Sequence, residues 1–163
     1  MQGMRRLALT GTPATGKSSV CALLDRGEFE TFTVRGLAEE NDCIGEVDIS
    51  DGARPIDLEM LSEALGELWI GAPEKMTLID GHLSHLLPVD GVILLRCRPD
   101  ILRDRLDGRG YHNTKSESNV EWEFIGGAWN EYNSSVPWTE FDTSETSAES
   151  IVQLIRAWVS DGF

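Results

Sequence analysis

The sequence predicts an α/β protein built on a five-stranded parallel sheet with helices on both faces. Three observations carry this prediction: short apolar runs alternate with amphipathic helical stretches, a glycine-rich loop joins the first run to the first helical stretch, and no Pro/Ser-rich linker divides the chain. Such alternation is typical of a parallel sheet, because each helix returns the chain to begin the next strand in the same direction. A chain of 163 residues suits one such domain, so we expect residues 1–163 to fold as a unit.

Apolar runs bounded by turn residues predict the five strands. In chain order they are residues 6–10, 29–34, 76–80, 91–96 and 140–143. The fourth run is almost continuously apolar, as expected for a central parallel strand. Helical spacing of apolar residues predicts a helical turn at 37–40 and helices that begin near Ser19, Asp57, Pro99, Asn119 and Ser147. In the helix predicted at 119–132, the spacing favours a core position for Trp122, Ile125 and Trp129.

Residues 11–18 match the phosphate-binding pattern G-x-x-x-x-G-K-[ST] at every fixed position. In such a loop, backbone N–H groups point inward and surround the β-phosphate of a nucleotide. Lys17 is expected to reach the β- and γ-phosphates, and the Ser18 hydroxyl to bind Mg²⁺. A strand before the loop and a helix after it form the arrangement that aims a helix N-terminus at a phosphate. The alternative is an ordinary glycine-rich turn.

An acidic residue ends the third predicted strand. Beside a phosphate loop, an acid at the position of Asp80 is the usual second anchor of Mg²⁺, and a turn aspartate before Gly81 is the alternative. His82 and His85 follow in the same loop. A neutral histidine beside a γ-phosphate can orient a water molecule, whereas a histidine packed in the turn has only a structural role. Both interpretations stay open for His82, and the structural one is favoured for His85.

Arginines cluster near the end of one predicted helix. Arg105 and Arg109 are four residues apart and share a helical face. Gly108 and Gly110 flank Arg109 and predict a flexible segment at 108–118. A short polar loop that carries arginines is typical of a lid that closes on phosphates, which makes both arginines candidate catalytic residues. A solvated, arginine-rich helix end is the alternative.

The composition is strongly acidic, with a formal net charge of −14. This charge disfavours direct nucleic-acid binding, because phosphate contacts need lysine and arginine. It suits either a basic partner protein or a solvated surface that keeps the protein soluble, and the second is the simpler interpretation. The chain begins without an apolar signal sequence, contains no apolar run long enough to span a membrane, and has three scattered cysteines, so we expect a reducing, cytoplasmic setting.

Several motifs together carry a family resemblance. They are Gly11-Thr12-Pro13-x-x-Gly16-Lys17-Ser18, Asp80-x-His82, Arg105-Leu106-x-x-Arg109-Gly110-Tyr111 with Lys115 and Asn119, and the closing Asp142-Thr143-Ser144. From about residue 7 to residue 158, the chain resembles the adenylate kinase isoenzyme 6 family. The resemblance implies a nucleoside monophosphate kinase fold with strand order 2-3-1-4-5, transfer of a phosphoryl group from ATP to AMP or a related monophosphate, and a separate ATPase activity. It also implies a role in maturation of the small ribosomal subunit, through binding of one small-subunit ribosomal protein and its release on ATP hydrolysis.

Carried over residue by residue, the resemblance implies a nucleotide site in the glycine loop. The residues that would contact ATP are Gly11, Ala14, Thr15, Gly16, Lys17, Ser18 and Ser19, with Arg109 reaching it from the lid. Ser18 and Asp80 would hold Mg²⁺, and Asp80 with His82 forms the Asp-x-His pair of the family. Residues 31–54 would form the segment that binds the monophosphate, and residues 108–118 the lid.

Two positions depart from the family pattern. Ala14 replaces the usual glycine, which is tolerable if its φ angle stays negative. Glu39 stands where the arginine that binds the monophosphate is expected, so we expect Arg35, one helical turn earlier, or Arg54 to bind it instead. The preferred acceptor is left open, as are two other functions: an ATP-switched ribosome assembly factor with little kinase activity, and a P-loop kinase for another small metabolite.

Overall fold

The computed structural model describes residues 3–25, 28–46, 54–110, 113–133 and 135–162. Its strands are β1 (Arg6–Thr10), β2 (Glu30–Thr33), β3 (Thr77–Asp80), β4 (Gly91–Arg96) and β5 (Trp138–Asp142). They form one sheet in the order β2-β3-β1-β4-β5, and every neighbouring pair is parallel. The parallel five-stranded sheet and its 2-3-1-4-5 order are therefore confirmed.

Helices occupy the crossovers between the strands. They are α1 (Lys17–Leu24), α2 (Val34–Glu40), α3 (Leu58–Leu68), α4 (Pro99–Gly108), α5 (Asn113–Phe124), α6 (Gly127–Asn130), α7 (Ala148–Ser160) and a short 3-10 helix (Ser84–Leu86). Helices α2, α3 and α7 each begin after a residue whose side-chain oxygen accepts a backbone N–H of the first turn, namely Thr33, Asp57 and Ser147. Among the helices described, none is long and apolar enough to cross a membrane.

Side-chain alternation along β1 divides the core between the two faces of the sheet. Leu7 and Leu9 belong to a buried cluster that includes residues of α1 and α7. Ala8, between them, belongs to a second cluster that includes residues of α2 and α3. All three side chains are fully buried, so the expectation of helices on both faces of the sheet is confirmed.

The strand register brings several chain segments to one edge of the sheet. Leu9 of β1 pairs with Asp80 of β3, and Thr33 of β2 pairs with the same residue. Because parallel strands end on the same side, the loop that leaves β1 at Gly11, the start of α2 and the loop after β3 all meet there. This carboxyl edge is where ligands bind in open parallel sheets.

The helix predicted at residues 119–132 is in fact two helices. Gly126, with a φ angle of +68°, turns the chain between α5 and α6. The turn moves the apolar spacing off the core face, and Ile125 and Trp129 are 56% and 36% exposed. The prediction that these two residues lie in the core is therefore wrong, whereas Trp122 is half-buried.

The segment predicted to be flexible, residues 108–118, is helical over much of its length. α4 ends at Gly108, and residues 113–118 form the first half of α5. Asn113 and the residues after it form a helix although the sequence there is polar, because Ser116 and Val120 are buried. Residues 111 and 112 lie outside the described part of the chain.

Candidate functional site

The loop between β1 and α1 follows a path that requires glycine at two positions. Gly11 has a φ angle of +151° and Gly16 one of +104°. A Cβ atom at Gly11 would lie 2.6 Å from the carbonyl oxygen of Leu95, so any side chain there would collide with β4. The chain then enters α1 at Lys17, where the first helical turn leaves N–H groups for an anion. This geometry accounts for both fixed glycines of the sequence pattern.

The condition stated for alanine at position 14, a negative φ angle, is not met, because the angle is +72°. The left-handed region costs an L-residue about 1–2 kcal/mol, so the surroundings must hold Ala14 in place. Ala14 is buried in a cluster with Leu102 and Leu106 of α4. Its carbonyl oxygen also accepts a hydrogen bond from Nη1 of Arg105 at 3.3 Å. The loop thus turns its backbone inward at a position where glycine is usual, and packing compensates for the alanine.

Lys17 lies over the loop that precedes it. Its Nζ atom donates hydrogen bonds to the carbonyl oxygens of Gly11, at 2.8 Å, and Thr12, at 3.1 Å. Burial lowers the pKa of Lys17 to about 8, although the negative charge of Asp80 opposes this shift. A poorly hydrated ammonium group that rests on carbonyl dipoles gains by exchanging them for fully charged phosphate oxygens.

Asp80 and Ser18 supply oxygen atoms at the same edge of the sheet. Burial raises the pKa of the Asp80 carboxyl group, and the nearby charge of Lys17 acts in the opposite direction. Ser18 is exposed at the second position of α1. Mg²⁺ binds oxygen ligands and takes few of them from the protein when nucleotide phosphates and water complete its shell. A carboxylate and a hydroxyl therefore fit a Mg²⁺ ion that is held together with a nucleotide.

His82 lies between Asp80 and the glycine loop. Its Nδ1 atom is 3.0 Å from the carbonyl oxygen of Gly11, and since a carbonyl only accepts, Nδ1 carries the proton. Burial lowers the pKa of His82, and the charge of Lys17 lowers it further. The ring is therefore neutral near pH 7, and its Nε2 atom is a hydrogen-bond acceptor. The indole of Trp122 meets the ring edge-on, with the ring centroids 6.2 Å apart.

Arg105 and Arg109 approach the loop from α4 in different ways. The guanidinium of Arg105 donates to the carbonyl oxygen of Thr143 at 2.8 Å as well as to Ala14. Arg105 thus ties the phosphate loop to the segment after β5. Arg109 is exposed at the end of α4, and its charge contributes to the lowered pKa of Lys17. Of the two predicted lid arginines, Arg109 is the one whose guanidinium stays exposed beside the loop.

A cavity of about 440 Å³, named here the first cavity, opens beside the phosphate loop. Its walls come from the loop, α4 and the start of α7. The lining residues are Ala14, Thr15, Gly16, Ser19, Val20, Arg105, Gly108, Arg109, Thr143, Thr146, Ala148 and Ile151. The buried Thr143 hydroxyl donates to the carbonyl oxygen of Thr15 at 2.6 Å, which fixes the wall after β5 to the loop. The size and the mixed lining suit a nucleoside whose phosphates rest on the loop.

The second cavity, of about 420 Å³, lies beside Asp80 and the segment that follows β2. The residues lining it are Thr33, Val34, Arg35, Arg54, Ile56, Leu58, Asp80, Gly81, His82 and Leu83. Arg35 and Arg54 are both exposed, and Nε of Arg54 donates to the carbonyl oxygen of Gly45 at 3.3 Å. Glu39 is exposed on α2 and does not line this cavity. Within the segment predicted at 31–54, residues 47–53 lie outside the described part of the chain.

The sequence analysis missed Glu123, a buried carboxylate behind the phosphate loop. Its Oε1 atom accepts a hydrogen bond from the Thr12 hydroxyl at 3.0 Å, and its Oε2 atom accepts one from the Cys97 N–H at 2.7 Å. Arg96 balances the charge, with its Nε atom 3.0 Å from Oε2. The spacing of residues in α5 was the sequence signal that could have indicated its burial. Ser116, Val120 and Glu123 fall on one helical face, and that face is buried.

Comparison with known proteins identifies a matching family model and several relatives. A family model described as an AAA domain matches residues 7–126. Two archaeal proteins, each described as "putative adenylate kinase", align over most of the chain: that of Archaeoglobus fulgidus is 39% identical over 93% of this chain and 80% of its own length, and that of Methanocaldococcus jannaschii is 34% identical over 92% and 83%. The Saccharomyces cerevisiae protein described as "adenylate kinase isoenzyme 6 homolog FAP7" is 31% identical over 74% of this chain and 62% of its own length.

Two solved structures share the fold across nearly the whole chain. One is a deoxyadenosine kinase from M. mycoides, with a TM-score of 0.59 and 17% identity over 96% of this chain and 98% of that one. The other is TT1252 from Thermus thermophilus, with a TM-score of 0.62 and 12% identity over 99% and 100%. At these low identities the two structures show only that the fold is shared. The archaeal and yeast relatives are similar to this chain in sequence as well. By its sequence relatives and the matching family model, the chain belongs to the adenylate kinase isoenzyme 6 family of P-loop proteins.

Proposed function

We propose that this protein is a nucleoside monophosphate kinase that transfers the γ-phosphoryl group of ATP to AMP or a related monophosphate. The observation that carries the proposal is the pair of cavities, of about 440 and 420 Å³, near Lys17, Asp80 and His82. ATP would occupy the first cavity and the monophosphate the second. The acceptor phosphate oxygen would attack the γ-phosphorus, the bond between that phosphorus and the β,γ-bridging oxygen would break, and ADP would leave.

The donor half of the reaction depends on the phosphate loop. Lys17 would exchange its two loop carbonyls for the β- and γ-phosphates, and Gly11, Ala14, Thr15, Gly16 and Ser19 would present backbone or hydroxyl groups to ATP. Mg²⁺ held by Ser18 and Asp80 would neutralise negative charge on the transferring group. Arg109 would close over the phosphates from the lid, residues 108–118, while Arg105 holds the loop and the segment after β5 together. Phosphoryl transfer needs this placement and charge compensation more than covalent help.

The acceptor half depends on the second cavity. Arg35 and Arg54 are the cations that line it, and they would bind the monophosphate in place of an arginine at position 39. Val34, Ile56 and Leu83 give the rest of the cavity an apolar surface suited to a base and ribose. Asp80 and His82 border this cavity and so would lie beside the transferring phosphoryl group.

We propose that the protein also hydrolyses ATP when no acceptor is bound. Nε2 of the neutral His82 ring can accept a hydrogen bond from a water molecule and orient it toward the γ-phosphate. Replacing His82 with Gly is expected to reduce hydrolysis while leaving phosphoryl transfer to AMP largely intact. Unchanged hydrolysis in this variant would assign His82 a structural role.

The decisive experiment measures ADP formation from ATP with AMP, CMP, dAMP, GMP, UMP or no acceptor. A kinase gives ADP at a rate that rises with at least one monophosphate, and the no-acceptor reaction reports hydrolysis. A Lys17→Ala preparation purified in parallel sets the background from contaminating kinases. If no monophosphate stimulates ADP formation above the no-acceptor rate, the kinase proposal is wrong.

A second candidate function is an ATP-switched factor in maturation of the small ribosomal subunit. Glu39 in place of the expected arginine, the alignment with the yeast FAP7 protein and the net charge of −14 favour it. A basic small-subunit ribosomal protein is the partner whose charge fits. Pull-down of small-subunit ribosomal proteins with and without ATP tests this function, and a partner that ATP does not release or that does not bind at all would exclude it.

We place either function in the cytoplasm. Cys21, Cys43 and Cys97 are all free thiols in the structure, and two of them are buried. Unpaired cysteines are typical of a reducing compartment. Imaging of the tagged protein in its own cells would show diffuse cytoplasmic signal, and exclusive recovery from the medium or a membrane fraction would contradict the assignment.

A further inference from the structure

His85 makes two short polar contacts that the proposed reaction does not use. It lies in the 3-10 helix after β3, and its side chain is fully buried. Its Nδ1 atom is 2.7 Å from the hydroxyl oxygen of Thr10, and its Nε2 atom is 3.0 Å from a carboxylate oxygen of Glu131. Thr10 is the last residue of β1, directly before the phosphate loop, and Glu131 directly follows α6.

The contacts constrain where the hydrogen atoms of this cluster lie. The Thr10 hydroxyl has one proton, and it donates that proton to the backbone carbonyl oxygen of His82 at 2.8 Å. The contact between Thr10 and His85 therefore needs a proton on Nδ1 of His85. The carboxylate of Glu131 accepts, so Nε2 of His85 carries a proton as well. A ring that donates from both nitrogens is an imidazolium, here paired with a carboxylate.

These contacts fix the position of His82 from behind. His82 is held twice against the end of β1: its carbonyl oxygen accepts from Thr10, and its ring donates to the carbonyl oxygen of Gly11. His85 completes the hydrogen bonding of the Thr10 hydroxyl and so orients that hydroxyl toward His82. The chain of contacts thus runs from Glu131 through His85 and Thr10 to the backbone of His82.

Aromatic side chains cover the end of this series of hydrogen bonds at which His85 meets Glu131. The ring of Trp138 meets the ring of His85 edge-on, with the centroids 5.6 Å apart. Trp129, Tyr132 and Trp138 also contact one another, with ring centroids 5.2 to 5.5 Å apart. The carboxylate side chain of Glu131 is 32% exposed. Partial exclusion of water strengthens the attraction between the imidazolium and the carboxylate, because the local dielectric is lower than in water.

We propose that His85, held as an imidazolium between Thr10 and Glu131, is a positioning residue that sets the orientation of His82 for ATP hydrolysis. The inference rests on the hydrolytic role proposed for His82. Transfer to a monophosphate does not need a water molecule on His82, so loss of the His85 contacts is expected to lower hydrolysis and to leave transfer in place.

The first test compares acceptor-free hydrolysis with AMP phosphorylation in Thr10→Val, His85→Gln and Glu131→Leu. Each variant is expected to lower the kcat of hydrolysis about 10- to 100-fold, as misplacement of a catalytic group does, with the KM for ATP and the transfer rate nearly unchanged. Glu131→Gln keeps an acceptor oxygen for Nε2 and is expected to recover part of the loss. Ser84→Ala is the matched control, since Ser84 in the same turn donates to Leu9 of the same strand outside this chain of contacts.

Equal losses of hydrolysis and transfer, or a Ser84→Ala variant as impaired as Thr10→Val, would overturn the proposal. Failure of the proposed function looks different, because His82→Gly would then leave hydrolysis intact. If His82→Gly lowers hydrolysis and the three variants do not, only the positioning inference fails.

A second test measures the protonation of the histidine rings directly. It does not depend on an activity assay or on a variant that disturbs the fold. Long-range ¹H–¹⁵N spectra at the assay pH are expected to show both ring nitrogens of His85 protonated and, for His82, Nδ1 alone. Glu131 is partly exposed, so Glu131→Gln leaves the core intact. In this variant the NMR signals of the His85 ring nitrogens are expected to move toward those of a neutral ring. A single neutral tautomer of His85 in the unaltered protein would overturn the assignment.

Discussion

The two cavities of this protein differ in how their polar groups are held. Beside the first cavity, Arg105 donates hydrogen bonds to Thr143 and to the phosphate loop. On the buried side of the loop, Glu123 accepts a hydrogen bond from the Thr12 hydroxyl. Beside the second cavity, Arg35 and Arg54 are exposed. The first cavity is therefore preorganised by protein contacts, whereas the cations of the second are placed where a ligand can order them.

This difference has a consequence for affinity and selectivity. Ordering a long side chain on binding costs about 0.5–1.5 kcal/mol, which the second cavity must supply for both Arg35 and Arg54 and the first for Arg109 alone. A site that orders its cations on the ligand also accommodates more than one ligand shape. We therefore expect tight requirements for the triphosphate and a broader choice of monophosphate.

The largest expected effect is at Lys17, which both reactions need. Lys17→Ala removes the charge that meets the β- and γ-phosphates, and loss of one such preorganised group lowers kcat about 10²- to 10³-fold. Hydrolysis and transfer are expected to fall together in steady-state assays. Lys75→Ala, which removes an exposed lysine before β3, is the control and should retain full activity. Substantial turnover by Lys17→Ala would break the assignment of the first cavity to ATP.

The next largest effect is expected at the arginines of the second cavity, and it distinguishes the acceptor site from the ATP site. Arg35→Ala and Arg54→Ala are expected to raise the KM for AMP about 10- to 150-fold, because a charge-assisted hydrogen bond contributes about 1.5–3 kcal/mol, while the KM for ATP and the rate of hydrolysis stay unchanged. Glu39→Arg introduces the arginine that the family resemblance implies, and because position 39 does not line the second cavity, it is expected to change the KM for AMP less than either arginine variant does. If both arginine variants bind AMP normally, the second cavity is not the acceptor site.

The backbone of the phosphate loop was easier to predict from the sequence than the contacts behind it, for a physical reason. The phosphate loop is local: Gly11, Gly16 and Lys17 act through backbone geometry that a short pattern records. Glu123 was missed because its partner Thr12 lies 111 positions away, and only the fold brings the two together. The strand order and the candidates Arg35 and Arg54 came from the family resemblance, whereas the position of Asp80 beside the loop follows because parallel strands end at one edge.

The backbone conformation at Ala14 is a second feature that the sequence alone left undecided. A negative φ angle at Ala14 is what alanine prefers in isolation, yet the loop needs a left-handed residue there. Tertiary packing against α4 decides the outcome, and no propensity of the residue reports it. The split at Gly126 lies at a pair of adjacent glycines, Gly126 and Gly127, and the spacing of the apolar residues around them does not show that the chain turns there.

A third prediction concerns the contact that holds the loop from behind. Thr12→Val keeps the side-chain shape and removes the hydroxyl that Glu123 accepts from, leaving a buried carboxylate oxygen with one partner fewer. The expected cost is about 1–3 kcal/mol in the free energy of unfolding, measured with urea, together with weaker ATP binding. Ser118→Ala, which removes an exposed hydroxyl on α5, is the control. Unchanged stability would mean that the first cavity is less preorganised than its contacts indicate.

A fourth prediction uses the lowered pKa of Lys17, about 8 in the free protein. Phosphate binding favours the charged lysine and raises this pKa, so ATP binding takes up protons where the free lysine is partly neutral. About half a proton is expected near pH 8 and little near pH 7, where Lys17 is already charged. Calorimetric titration in buffers of different ionisation enthalpy measures the uptake. AMP binding in the second cavity should show none from Lys17, and equal uptake for both ligands would contradict the separation of the sites.

The smallest effect is expected at Ala14, where strain is stored beside the first cavity. Ala14→Gly removes a left-handed penalty of about 1–2 kcal/mol and adds about 0.5–1 kcal/mol of unfolded-state entropy, so the net gain in stability is at most about 1.5 kcal/mol. Ala64→Gly, in the middle of α3, is the matched control and should lose about 1 kcal/mol. Kinetic constants for ATP should stay close to those of the unaltered protein, because the backbone path is unchanged. A loss of stability in Ala14→Gly equal to that of Ala64→Gly would show that packing of the Ala14 methyl group against Leu102 and Leu106 outweighs the strain.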